Sequence, residues 1–298
     1  MRFVAARRWL IGFMLLLTAC SATPSDSTAP SASTYIQNKG SDTIVNLALA
    51  WAEAYQTVKP EVRISVTGGG SGTGLTALIS GTVDIANASR KIKAEEIQAA
   101  KANGIEPVEH VIARDAIAVI VNPENPIGEL SLEQIARIYR GEVNNWSELG
   151  GEDRPIVRLS RETNSGTHVY FLEEVVRLGD KENKEIFSAD TLLLPSSEGI
   201  IAEVSENPNA IGYDGLGYVT PEVKMLAVAR TADQPYVLPS VESVNNGQYP
   251  ISRDLYMYTQ TGAPQSVLDY LAWILSPDAQ QIVTDLGFVP ILSPTAGK

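Results

Sequence analysis

The chain has 298 residues, a formal net charge of −12, one cysteine and two histidines. Such acidity argues against nucleic acid as a partner, because that association is driven by neutralising phosphates. A lone cysteine cannot form an internal disulfide, and no group of residues has metal-ligand spacing, so neither a metal nor a cofactor is expected.

Arg2, Arg7 and Arg8 flank or precede the short apolar run at residues 9–17, and "LTAC" then ends at Cys20. The run is too short to span a bilayer as a helix and reads as a signal peptide over residues 1–19. "LTAC" resembles a lipobox, in which the cysteine is acylated and becomes the new N-terminus. Cys20 is therefore expected to carry lipid and anchor the chain to a membrane. "SATPSDSTAPSAST" follows, a stretch that buries nothing and reads as a flexible tether, residues 20–34. Without the three leader arginines the net charge goes from −12 to −15. Such a surface repels small anions at long range, so an anion site must work through local dipoles and hydrogen bonds.

The folded part opens with an extended run to Gly40. Ile44, Leu47, Ala48, Trp51, Ala52 and Tyr55 then fall on one helical face. "EVRISV" alternates like a strand, and "TGGGSGTGLTALISG" is a glycine-rich loop entering a helix. "VDIANAS" reads as a strand, "KAEEIQAAKANG" as a polar helix stopped by Gly104, and "VEHVIARDAIAVIVNP" as a long β-branched strand containing His110. "SLEQIARIYRGEVNNWSEL" gives a helix and a turn, and "PIVRLS" a strand. "RETNSGTHVYF", residues 161–171, leads into a further helix. Helix near 197–206, strand and turn in "NAIGYDGLGYV", the strand "ISRDLYMYT" and one or two closing helices around Pro277 complete the chain. The βαβα succession predicts an α/β fold with a mainly parallel sheet, and the length suffices for two domains.

One pattern recurs without a fixed period. "GSDTI" (40–44), "GSGTGL" (70–75) and "NSGTHV" (164–169) each place Thr two residues after Ser, between a strand and a helix. In open α/β sheets ligands bind at that end of the strands. Ser and Thr are also the preferred helix caps, so three independent caps would look similar. The accompanying Gly40, Gly70, Gly72 and Gly166 let the backbone approach a ligand, and helix N-termini attract anions. Arg161, four residues ahead of Ser165, adds a planar fork suited to an oxyanion. Two catalytic chemistries compete. There is no GxxxxGK[ST] nucleotide loop, and Ser165 beside His168 lacks the GxSxG elbow of a hydrolase.

Taken together, "KGSDTIVNLALAWAEAY", "GGGSGTGLTALISGTVDIANASR", "IYRGEVNNWSELGG", "SRETNSGTHVYFLE", "NAIGYDGLGYV" and "GFVPI" resemble the substrate-binding proteins of phosphate ABC transporters. The resemblance implies a type II periplasmic-binding-protein fold, two α/β lobes on a hinge with the ligand between them. The lobes are expected at residues 35–117 plus 250–298 and at 118–249. It implies a non-enzymatic monomer that binds inorganic phosphate and delivers it to a permease. Its phosphate-binding residues map to Ser41, Asp42, Thr43, Ser71, Gly72, Arg161, Ser165, Gly166 and Thr167. Some members of the family carry an aspartate after the "VDI" strand that accepts the proton of hydrogen phosphate. Here "NASRK" stands instead and offers Ser89 and Arg90, so Asp42 is expected to take that proton, with Asp84 and Asp214 behind it. The alternatives are a receptor for molybdate, tungstate or sulfate, or a phosphate-ester hydrolase.

Overall fold

The computed structural model describes residues 33–291. The expectations for the leader and for lipidated Cys20 lie outside the described residues. The first part of the fold is β1 (Thr34–Gly40), α1 (Asp42–Val58), β2 (Val62–Thr67), α2 (Ser71–Ile79), β3 (Ile85–Ala88), α3 (Ala94–Ala102) and the long β4 (Pro107–Val121). Next come β5 (Glu129–Ser131), α4 (Leu132–Tyr139), β6 (Val157–Arg161), α5 (Gly166–Phe171), β7 (Leu192–Leu194), α6 (Ser197–Glu206) and β8 (Ala210–Gly215). The chain closes with β9 (Lys224–Met225), β10 (Ala227–Ala229), α7 (Val241–Asn245), β11 (Ser252–Gln260), α8 (Gln265–Ile274) and α9 (Pro277–Asp285).

One sheet runs in the order β2-β1-β3-β11-β4-β8-β6-β7, with β9 on β4. Strands β2, β1 and β3 are parallel, as are β8, β6 and β7. Strands β11 and β4 join these two parallel sets through antiparallel ladders. Strand β4 changes partner along its length: through Ala116 it pairs with β11, and from Ile117 onward with β8. The two halves of the molecule are thus joined by continuous strands.

The long apolar run of β4 makes sense because both of its faces are covered, as in sheets flanked by helices on each side. Ala118 and Ile120 face a core containing Ile36, Trp51 and Ile200, whereas Ile117, Val119 and Val121 face one containing Trp146, Phe171 and Tyr213. Helix α1 buries Ile44, Leu47, Ala48, Trp51 and Tyr55, five of the six residues its spacing predicts, and leaves the sixth, Ala52, half-buried. Trp51 Nε1 donates to the Ala279 carbonyl at 2.8 Å, tying α1 to α9. Pro277 occupies the first turn of α9, where its missing N–H costs nothing. Strands β5, β7, β9 and β10 and helix α7 have two to five residues each, too few for a sequence period to mark.

Candidate anion-binding site

The loops after β1, β2, β3 and β6 meet at one place. Ser41 Oγ donates to Ser89 Oγ at 2.9 Å, and Ser71 Oγ lies 3.3 Å from Ser89 Oγ. The Ser89 N–H donates to Ser71 Oγ at 3.0 Å. Thr43 Oγ1 and Thr167 Oγ1 are 2.8 Å apart although 124 residues separate them. All five side chains are buried. Hydroxyls in water find partners freely, so burying five of them together is costly unless strong acceptors complete their bonding.

Capping does not account for this cluster. Ser41 stands at the N-cap of α1 but makes no side-chain cap bond, and the N-cap of α2 is Gly70, which has no side chain. Of the serines in the three segments, Ser165 alone caps in the ordinary way, accepting from the Thr167 N–H at 3.2 Å. The glycines set how closely the loops approach. A Cβ on Gly166 would come within 2.4 Å of Ser71 Oγ and 2.5 Å of Ser89 Oγ. Gly70, at φ +88°, holds a conformation that side chains avoid, and a Cβ there would be 2.8 Å from the Asn164 carbonyl oxygen.

Two buried arginines border the cluster. Arg253 of β11 donates from Nη2 to Thr167 Oγ1 at 2.9 Å, to Thr43 Oγ1 at 3.4 Å and to Asp115 Oδ2 at 3.0 Å. Its Nη1 donates to the Ser89 carbonyl at 2.9 Å. Burial pushes the Asp115 carboxyl up to about 6, against the opposing pull of Arg253. Arg161 is bound differently. Its Nη2 donates to Asp42 Oδ2 and to the Pro195 carbonyl, each at 2.9 Å. Its Nη1 donates to Ser197 Oγ at 2.8 Å and lies 3.5 Å from Asp214 Oδ2. Burial raises the Asp214 carboxyl, and Arg161 partly offsets this.

The residues marked by the sequence therefore divide. Ser41, Thr43, Ser71, Ser89, Gly166 and Thr167 come together. The carboxylate of Asp42 is engaged by the Gly69 N–H at 2.8 Å and by Arg161, and Tyr218 donates to the Asp42 carbonyl at 2.6 Å. The Gly72 N–H donates to the Asn164 carbonyl at 3.0 Å, across the two halves. Arg90 forks onto Glu96 at 2.7 and 2.8 Å and donates to the Lys91 carbonyl, so its guanidinium serves the start of α3. Asp84 accepts from the Gln37 N–H, and Asp214 accepts from Ser197 Oγ and the Gly215 N–H. His168 Nδ1 meets Ser160 Oγ at 3.1 Å, while Ser165 serves as the cap. Among the described residues no group of three potential metal ligands occurs, and no helix is long and apolar enough to cross a membrane.

Nothing in the local sequence pattern singles out Arg253 or Asp115. The only available signal is an adjacent Arg-Asp pair within each of two otherwise largely apolar strand segments, "ISRDLYMY" and "ARDAIAVIV". The fold makes them direct cross-strand partners, Arg253 opposite Asp115 in the β11–β4 ladder.

The chain matches the family described as PBP superfamily domain over residues 27–278. The phosphate-binding protein PstS of Pseudomonas aeruginosa is 34% identical over 295 residues, covering 93% of this chain and 89% of that one. Its Bacillus subtilis counterpart is 31% identical over 291 residues, covering 95% and 92%. Among solved structures, a Clostridium perfringens chain described as a phosphate ABC transporter substrate-binding protein with bound phosphate superposes with a TM-score of 0.78. It is 33% identical, and the match covers 87% of this chain and 100% of that one. A phosphate transport receptor from Vibrio cholerae, 26% identical, superposes with a TM-score of 0.69. The chain belongs to the phosphate-binding protein family of the PBP superfamily, and its α/β architecture is the type II periplasmic-binding-protein fold.

Proposed function

We propose that this chain is an extracytoplasmic receptor that encloses inorganic phosphate between two lobes and passes it to the permease of an ABC transporter. The observation that carries this reading is the cluster of Ser41, Thr43, Ser71, Ser89 and Thr167. These five buried hydroxyls, from both halves of the chain, are bonded mainly to one another. A tetrahedral oxyanion accepts several hydrogen bonds at once, so replacing hydroxyl–hydroxyl contacts with hydroxyl–oxyanion ones favours its uptake. Neutral donors can hold a dianion in a protein of this acidity because their dipoles act only at short range. The names of the relatives from Pseudomonas, Bacillus and Clostridium favour phosphate over molybdate, tungstate or sulfate.

In this reading the lobes are residues 35–117 with 250–298, and residues 118–249. The hinge falls where β4 exchanges β11 for β8. Asp42 and Arg161 bridge the lobes beside the ion, Gly72 and Asn164 do so at its rim, and Ser165 and Gly166 shape the mouth of α5. A lipid on Cys20 and the tether that follows would hold the monomeric receptor at a membrane surface. A hydrolase is disfavoured because Ser165, the expected nucleophile, serves as a helix cap and His168 is turned to Ser160.

Calorimetric titration of residues 21–298 with phosphate, sulfate, molybdate and a phosphate ester tests the reading. Phosphate is expected to bind most tightly, and the ester, too large to be enclosed, neither to bind comparably nor to be cleaved. Preferential binding of another oxyanion, or release of phosphate from the ester, contradicts it.

A further inference from the structure

Arg253 is held on three sides. Its cross-strand partner Asp115 takes one Nη2 hydrogen, the Ser89 carbonyl takes one from Nη1, and the Tyr170 ring lies 5.4 Å from its Cζ. The ring is itself fixed, since Tyr170 donates to the Ser252 carbonyl at 2.6 Å. The remaining Nη2 hydrogen faces Thr167 and Thr43. A guanidinium has five N–H donors and no acceptor, so it satisfies hydroxyls only by forcing them to accept. Arg253 is 7% exposed, and its Nε has no partner. A buried arginine that has one donor without a partner and turns another toward hydroxyls that can themselves donate is a site built to receive negative charge.

We infer that Arg253 is the cation that meets the bound oxyanion, donating to it from the edge that now touches Thr43 and Thr167. Asp115 acts on the ion through Arg253, as a positioning residue. The single carboxylate on Arg253 holds the guanidinium plane while leaving donors for the ligand. Tyr170 adds a flat wall that fixes the plane's tilt. This assignment rests on the oxyanion reading of the site and names the charge that completes it.

The test is titration with inorganic phosphate of the wild-type chain, Arg253→Lys, and the double variant Arg253→Gln/Asp115→Asn. The double variant removes both charges, so no buried carboxylate is left unpaired, and a circular-dichroism melt checks its fold. Loss of a charged hydrogen bond predicts that it binds phosphate roughly tenfold to a hundredfold more weakly than wild type. Arg253→Lys keeps the charge without the fork and should fall between the two. A folded double variant with affinity within about threefold of wild type overturns the inference while leaving the phosphate reading intact. A wild-type chain that takes up no oxyanion overturns both. If the double variant fails to fold, Arg253→Lys decides: weakening by about fivefold or more supports the assignment, and unchanged affinity overturns it.

Discussion

The two buried arginines beside the hydroxyl cluster differ in how completely their surroundings satisfy them. Arg161 is engaged by two carboxylates, a hydroxyl and two backbone carbonyls. Arg253 has one carboxylate, one carbonyl, two hydroxyls that can equally donate, and an unpartnered Nε. Both carry the same charge in comparable burial. The saturated one joins parts of the protein distant in sequence, since Asp42 opens α1 and Asp214 lies in β8. The unsaturated one has bonding capacity left for something that is not protein. That difference, together with its place against the Thr43 and Thr167 hydroxyls, is why the ligand contact is proposed for Arg253.

The largest effect is expected at Arg161. Arg161→Met leaves the fully buried Asp214 without its cation, and an orphaned buried charge costs about 3–5 kcal/mol. Urea denaturation of the ligand-free variant should show that loss, and a second substitution, Asp214→Leu, should recover part of it. A variant of unchanged stability that loses phosphate affinity would reverse the roles given to the two arginines.

A smaller effect is expected at Gly166, where the added Cβ of Ala would press on the Ser71 and Ser89 hydroxyls. In the proposed two-lobe reading those contacts form only on closure, so Gly166→Ala should oppose closure more than folding. Overpacking of this kind costs about 1–3 kcal/mol, or roughly fivefold to somewhat over a hundredfold in phosphate affinity. Titration paired with a melt of the ligand-free protein separates the outcomes. A large drop in melting temperature with unchanged affinity would mean that Gly166 serves packing alone.

Much of the fold was legible because the signals are local. The 3.6-residue spacing from Ile44 to Tyr55 marks α1, Pro277 marks the start of α9, and the βαβα succession implies the sheet. The Ser-x-Thr segments at 41, 71 and 165 likewise pointed to one end of the strands, where the hydroxyls of Ser41, Thr43, Ser71 and Thr167 meet. What the sequence could not convey depends on register and long-range pairing. Arg253 and Asp115 are neighbours only because β11 lies antiparallel on β4, 138 residues away in sequence. Arg90 shows the converse. It follows Ser89 directly, yet its side chain turns to Glu96. Adjacent residues after a strand leave in different directions, and one of them reaching a site says little about the next.

The most direct test is a crystal structure of the chain with phosphate bound. A phosphate ion is expected among Ser41, Thr43, Ser71, Ser89 and Thr167, separating the Thr43 and Thr167 hydroxyls, with an Arg253 nitrogen within hydrogen-bond distance of a phosphate oxygen. Phosphate bound outside that cluster, or within it with Arg253 still confined to Asp115 and Ser89, would contradict it.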